Sequence, residues 1–135
     1  MTIQLSTAVR NALLDSIETA VGASPVLKIR TGAAPASPAA ADSGTVVATI
    51  ALPADWMANA SGGTKAMQGT WADDAADASG TAAHYRIYAA DGTTCHLQGT
   101  VTATGGGGDM TVDNTNFAAG QKFSVTGYTL TAPNA

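Results

Sequence analysis

Between residues 6 and 21 the apolar side chains return every three or four positions: Val9, Leu13, Ile17 and Ala20, widened by Ala12, Leu14 and Val21. That period stacks side chains on one face of an α-helix. Ser6 stands where an N-cap belongs and Gly22 where a C′ glycine belongs, and Pro25 blocks continuation. The spacing predicts one helix over 6–21. Beyond it the chain becomes a series of short apolar runs separated by turn residues, the pattern of strands. Strands are expected at 26–31, 45–52, 65–71, 85–88, 95–101, 110–112 and 122–131. Residues 53–58 read as a single helical turn. The Ala-, Pro- and Ser-rich residues 32–43 read as an extended surface loop, 72–81 as an acidic loop, 114–121 as a further loop, and Gly105, Gly106, Gly107 and Gly108 as a flexible turn.

The clearest hairpin surrounds Asp91 and Gly92. A two-residue turn would mix apolar and polar side chains on each face. A three-residue loop of Asp91, Gly92 and Thr93 pairs Ile87 with Leu97 and Tyr88 with His96. That register turns Tyr85, Ile87, Cys95 and Leu97 inward and His84, Arg86, Tyr88, His96 and Gln98 outward. About seven short strands with this spacing suit an antiparallel β-sandwich or a jelly-roll-like barrel, preceded by one N-terminal α-helix. The organisation expected is a single domain over 1–135, with an arm and helix in 1–22 and a β-domain in 26–131.

Composition narrows the function classes. Alanine accounts for 29 of 135 residues, whereas Val, Ile, Leu and Phe together number 22. So small an aliphatic content predicts a thin core, one that neighbouring subunits could complete. A net charge of −4 with six Lys and Arg makes a nucleic-acid surface unexpected. No apolar run approaches the roughly 20 residues of a membrane span, and the first residues lack the features of a signal peptide, so synthesis and residence in a cytoplasm, or in something assembled there, are expected. Cys95 is the single cysteine and reads as a small buried side chain.

In the preferred register His84 and His96 lie about 13 Å apart, too far to share an ion. Cys95 and His96 are strand neighbours and point to opposite faces, which does not make a nucleophile and its base. Asp73, Asp74 and Asp77 crowd one loop, but Ala75 and Ala76 break the ligand alternation of a calcium loop and the chain's one glutamate is Glu18. The four glycines lack the Lys-Ser/Thr of a phosphate loop. Trp56 and Trp71 suit core packing or a subunit contact better than a sugar groove. The expectation is a non-enzymatic protein with no cofactor and no metal.

Several stretches carry a resemblance: residues 44–50 (GTVVATI), 52–57 (LPADWM), 80–88 (GTAAHYRIY), 107–114 (GGDMTVDN), Ala119-Gly-Gln and the terminal TLTAPNA. Together they resemble small virion proteins of tailed bacteriophages. The resemblance implies a head decoration, or cement, protein: commonly a homotrimer on the capsid exterior, binding the major capsid protein and stabilising contacts between capsomers, made in the bacterial cytoplasm and located on the virion. It brings no catalytic residues. The partner interface expected under that reading comprises Ile3, Leu5, Val9, Leu13, Trp56 and Tyr88, with the N-terminal arm or helix reaching onto the shell or a neighbour. The alternatives are a tail or head–tail connector component, and a glycan-binding adhesion module in which Trp56, Tyr85 or Tyr88 would be exposed in a groove.

Overall fold

The computed structural model describes residues 3–135; Met1 and Thr2, the start of the expected arm, lie outside them. The helix forms where its period and caps place it. Helix α1 spans Thr7–Val21, Ser6 Oγ accepts the Val9 N–H at 3.2 Å, and Gly22 takes φ 91° to close the last turn.

Ten strands follow: β1 Val26–Arg30, β2 Val46–Ala51, β3 Thr64–Ala66, β4 Ala72–Asp73, β5 Gly80–Thr81, β6 His84–Tyr88, β7 Cys95–Ala103, β8 Met110–Val112, β9 Asn116–Phe117 and β10 Phe123–Thr131. The protein is mainly β and sandwich-like. One mixed sheet runs in the order β2-β1-β6-β7-β8-β10-β3, with β4 also on β10, and β5 and β9 form a separate pair. Side chains from β1, β2 and β6 meet those of β10 in one core. Aromatic rings make up for the scarce aliphatic ones. Trp56, Trp71, Tyr128 and Tyr85 form a continuous chain with centroid spacings of 6.1, 5.5 and 5.2 Å. Each such ring buries on the order of 150–250 Å².

The structure corrects four local expectations. The segment 53–58 is not a helical turn; Met57 instead bridges to Met67 beside the shortened β3. The two loops at 72–81 and 114–121 contain the two-residue strands β4, β5 and β9, too short to leave a periodic signal. In the β6–β7 hairpin Ile87 pairs with Leu97 as expected, but a bulge then sets Tyr88 against Cys95 rather than His96.

The fourth correction is to the wholly antiparallel sheet. β8 runs parallel to β7, pairing Val101 with Met110, although only six residues separate the two strands. The chain must double back and turn again, and the glycines make that hook possible. A Cβ at Gly106 would stand 2.7 Å from the Thr102 side chain, and one at Gly108 would stand 2.9 Å from it. Thr102 fills the hook and its hydroxyl accepts the Gly108 N–H at 3.0 Å.

Candidate interaction surface

The helix is fixed by its polar side. Lys65 on β3 is 1% exposed, and its ammonium donates to Asp15 at 2.7 Å and to Glu18 at 2.9 Å. Burial lowers the Lys65 pKa, but the bonds to the two carboxylates outweigh it and the net shift is upward. The Lys65 hydrogen bond holds the Asp15 carboxyl below the ordinary range, and the Ala60 N–H adds to this. Asn11 accepts the Gly63 N–H at 2.9 Å, and the Arg10 guanidinium donates to the Ala132 carbonyl at 2.8 Å. Leu14 and Val21 are the two helical side chains buried in the interior.

This docking sends much of the apolar stripe outward. Val9 is 47% exposed, Leu13 45% and Ile3 76%, and these are the exposed large hydrophobic residues of the described chain. Leu5 is half-buried, with its N–H bonded to Asn134 O at 2.7 Å. Four of the six expected interface residues therefore lie together on the N-terminal segment. The other two do not join them. Trp56 packs inside against Trp71 and donates its indole N–H to Gly22 O, and Tyr88 is covered by the segment 32–44. Tyr85 is interior as well, so none of the three rings expected of a glycan groove is exposed.

The segment 32–44 is a strap rather than a free surface loop. The strands on either side hold its ends together, because Thr31 N–H donates to Thr45 O and Thr45 N–H to Thr31 Oγ1. Gly44 takes φ 72° where a Cβ would sit 2.0 Å from Thr31 O. Between these ends the strap lies over the outer face of β1, β6 and β7. Asp42 accepts from Arg86, from Tyr88 at 2.6 Å and from Arg30 at 3.0 Å. Arg86 also donates to Pro38 O at 2.7 Å, Gln98 to Pro35 O at 2.7 Å, and His84 Nδ1 lies 2.7 Å from Gly32 O.

His84, Arg86 and Tyr88, expected on the outer face, are consequently buried. The alternation of β6 was legible, but the cover was not, because the strap binds mainly through its own carbonyls, which no side-chain pattern announces. Burial pushes the Asp42 carboxyl up, but the Tyr88 hydrogen bond and the two guanidinium charges more than offset this, leaving it below its usual value.

The remaining candidates separate. His96 is exposed while His84 is interior, so the two do not share a surface. Cys95 is half-buried on the strap side of the sheet, not among the inward residues; it borders a cleft of about 480 Å³ with Arg86, Asp42 and Thr94. Burial raises its thiol pKa despite the nearby Arg86. Asp73 caps the Ala75 N–H, Asp77 accepts from Thr49 at 2.7 Å, and Asp74 is 3.8 Å from Lys122. Among the described residues no group of three or more His, Cys, Asp or Glu is placed to hold a metal ion. No described helix is long and apolar enough to cross a membrane. Comparison of the chain with protein-family models, curated proteins and solved structures finds no match.

Proposed function

We propose that this protein is a non-enzymatic structural module that docks onto a larger assembly through α1, and that the assembly is the outer capsid of a tailed bacteriophage. The observation that carries the docking is the Val9–Leu13 stripe, exposed on a helix whose polar side is occupied by its own domain. An apolar strip rimmed by polar residues and held on a rigid helix is the form of a helix-in-groove contact. The capsid as partner, and the decoration role, rest on the motif resemblance. The major capsid protein would supply the groove, and a homotrimer is the assembly that the resemblance implies.

The test is binding of the purified protein to capsid shells stripped of it, followed by symmetry-averaged imaging. Density at three-fold or two-fold positions of the shell, with α1 against it, is the expected result. The Val9→Ser/Leu13→Ser variant should lose that density while its unfolding free energy stays within about 0.5 kcal/mol of the parent, as for other exposed positions. Density at the portal vertex or tail would transfer the protein to the connector reading. Unaltered shell binding by the variant would remove the helix from the contact.

A further inference from the structure

The sheet is split along part of its length. β8 is three residues long, so it fills the space between β7 and β10 at one end only. Past its start at Met110, the first half of β7 and the last residues of β10 face each other across a cleft of about 420 Å³. Leu97, Gln98, Thr129, Leu130 and Thr131 line it, with Tyr85, Tyr128 and Asp109 at its inner end.

The ladder registers show which backbone groups this cleft leaves free. In an antiparallel pair, alternate residues bond to the partner and those between point away. On β7, Val101 N–H donates to Ala83 O, so Leu97, Gly99 and Val101 bond toward β6 while Gln98 and Thr100 point into the cleft. On β10, Tyr128 O accepts from Met67 and Ala132 N–H donates to Gly63 O, so Tyr128, Leu130 and Ala132 bond toward β3 while Thr129 and Thr131 point into the cleft. Thr100 N–H is taken by the Asp109 carboxylate at 2.9 Å. The Tyr128–Met110 pair brings the Thr129 N–H to the Asp109 carbonyl, whereas Gln98 and Thr131 lie beyond every ladder on that side among the described residues. Two unpaired edges facing each other are the complement of one extended peptide.

We infer that this slot takes an extended segment from a second copy of this chain, and that the segment is the arm formed by Ile3, Gln4 and Leu5. The arm has the required alternation, and seating it exchanges the Leu5 N–H bond to Asn134 O for one in the slot. Ile3 and Leu5 project to one side and Gln4 to the other. Seated in the slot, the two apolar side chains fall on Leu97, Leu130 and the tyrosine pair. Gln4 falls beside Gln98, whose buried Oε1 has no hydrogen-bond partner among the described residues. Ile3 is also the most exposed large hydrophobic residue described, at 76%. The inference is independent of what the helical stripe binds, since it uses β7, β10 and the arm alone.

Sedimentation of two complementary variants tests it. Thr131→Pro removes a donor facing the slot and leaves the β3 pairs of Leu130 and Ala132 in place. Ile3→Gly/Gln4→Ser/Leu5→Gly removes the arm and keeps the slot. The full chain should self-associate with rising concentration, each variant alone should sediment as a monomer, and an equimolar mixture should regain association. Should the proline variant not fold, the acetylated peptide of residues 3–8 can be titrated onto the arm variant instead. Protection of the Gln98 and Thr131 amides from exchange at up to about 1 mM peptide is then expected. A monomeric full chain, association that survives loss of the arm, or amides unmoved by the peptide would each overturn the inference.

Discussion

Lys65 poses a question of sign as well as size. Lys65→Met keeps the length of the side chain and removes its charge at a site 1% exposed. Two charge-assisted hydrogen bonds disappear, of a kind that contributes about 1.5–3 kcal/mol net. Against this stands the ammonium's desolvation, a penalty of several kcal/mol that the variant no longer bears. The carboxylates left behind are not stranded. Asp15 is 48% and Glu18 23% exposed, and both keep a backbone donor, Ala60 N–H and Met57 N–H. The net loss for Lys65→Met should therefore be about 1 kcal/mol or less. Asp15→Asn/Glu18→Gln does the reverse and leaves the buried ammonium with no carboxylate, which should cost about 3–5 kcal/mol. Urea unfolding at pH 7 measures both, and a larger loss for Lys65→Met than for the double variant would refute the reasoning. The pH dependence provides a second check. The raised Lys65 pKa makes its contribution full below the unfolded value of about 10.4, lost as pH rises through the folded one. The lowered Asp15 pKa makes its contribution full above about 3.9, lost as pH falls through the folded value. The stability difference between parent and Lys65→Met should thus shrink at both extremes.

The strap should open in acid. Asp42 has a folded pKa below its unfolded one, so its stabilisation is full above about pH 3.9 and disappears as pH falls through the folded value. Hydrogen-exchange protection of residues 32–44 should drop there, and Asp42→Asn should reproduce the drop at pH 7 with a loss of about 2 kcal/mol; equal protection in the variant would show that the strap does not depend on this carboxylate. The Tyr85 hydroxyl donates to that of Tyr128 at 2.8 Å, and burial has pushed the Tyr128 phenol up to about 12. Tyr128→Phe should cost about 1–3 kcal/mol by orphaning the Tyr85 hydroxyl, while the double Phe variant should cost less than the sum of the two singles; additive losses in urea unfolding would remove the coupling.

Local signals recovered the elements that local physics determines. The 3.6-residue period, Ser6 and Gly22 placed α1, an apolar run placed β1, and alternation placed β6, β7 and β10 along with the Ile87–Leu97 pair. What sequence could not convey were contacts between distant polar groups. The orientation of α1 is decided by Lys65, some fifty residues on, and a hydrophobic pattern gives such a cation no weight; hence the stripe that should have been innermost is partly exposed. The burial of His84 and Arg86 depends on strap carbonyls, which are the same for every residue type, and that of Tyr88 on Asp42, some forty-six residues away in sequence. Trp56 lost its place at the interface because the indole N–H found a carbonyl at the end of α1, which let the whole ring go inside. The split between β7 and β10 follows from where a glycine hook ends, and hydrophobic periodicity carries no trace of it.

The bonds that close α1 onto the end of β10 also set an order of events during synthesis. Arg10 waits for the carbonyl of Ala132, 122 residues further along. At ribosomal rates of about 5–20 residues per second, roughly 6–24 s separate the appearance of the two partners. For that interval the helix has neither Lys65 in its finished setting nor a strand to lie on, and both of its sides face solvent.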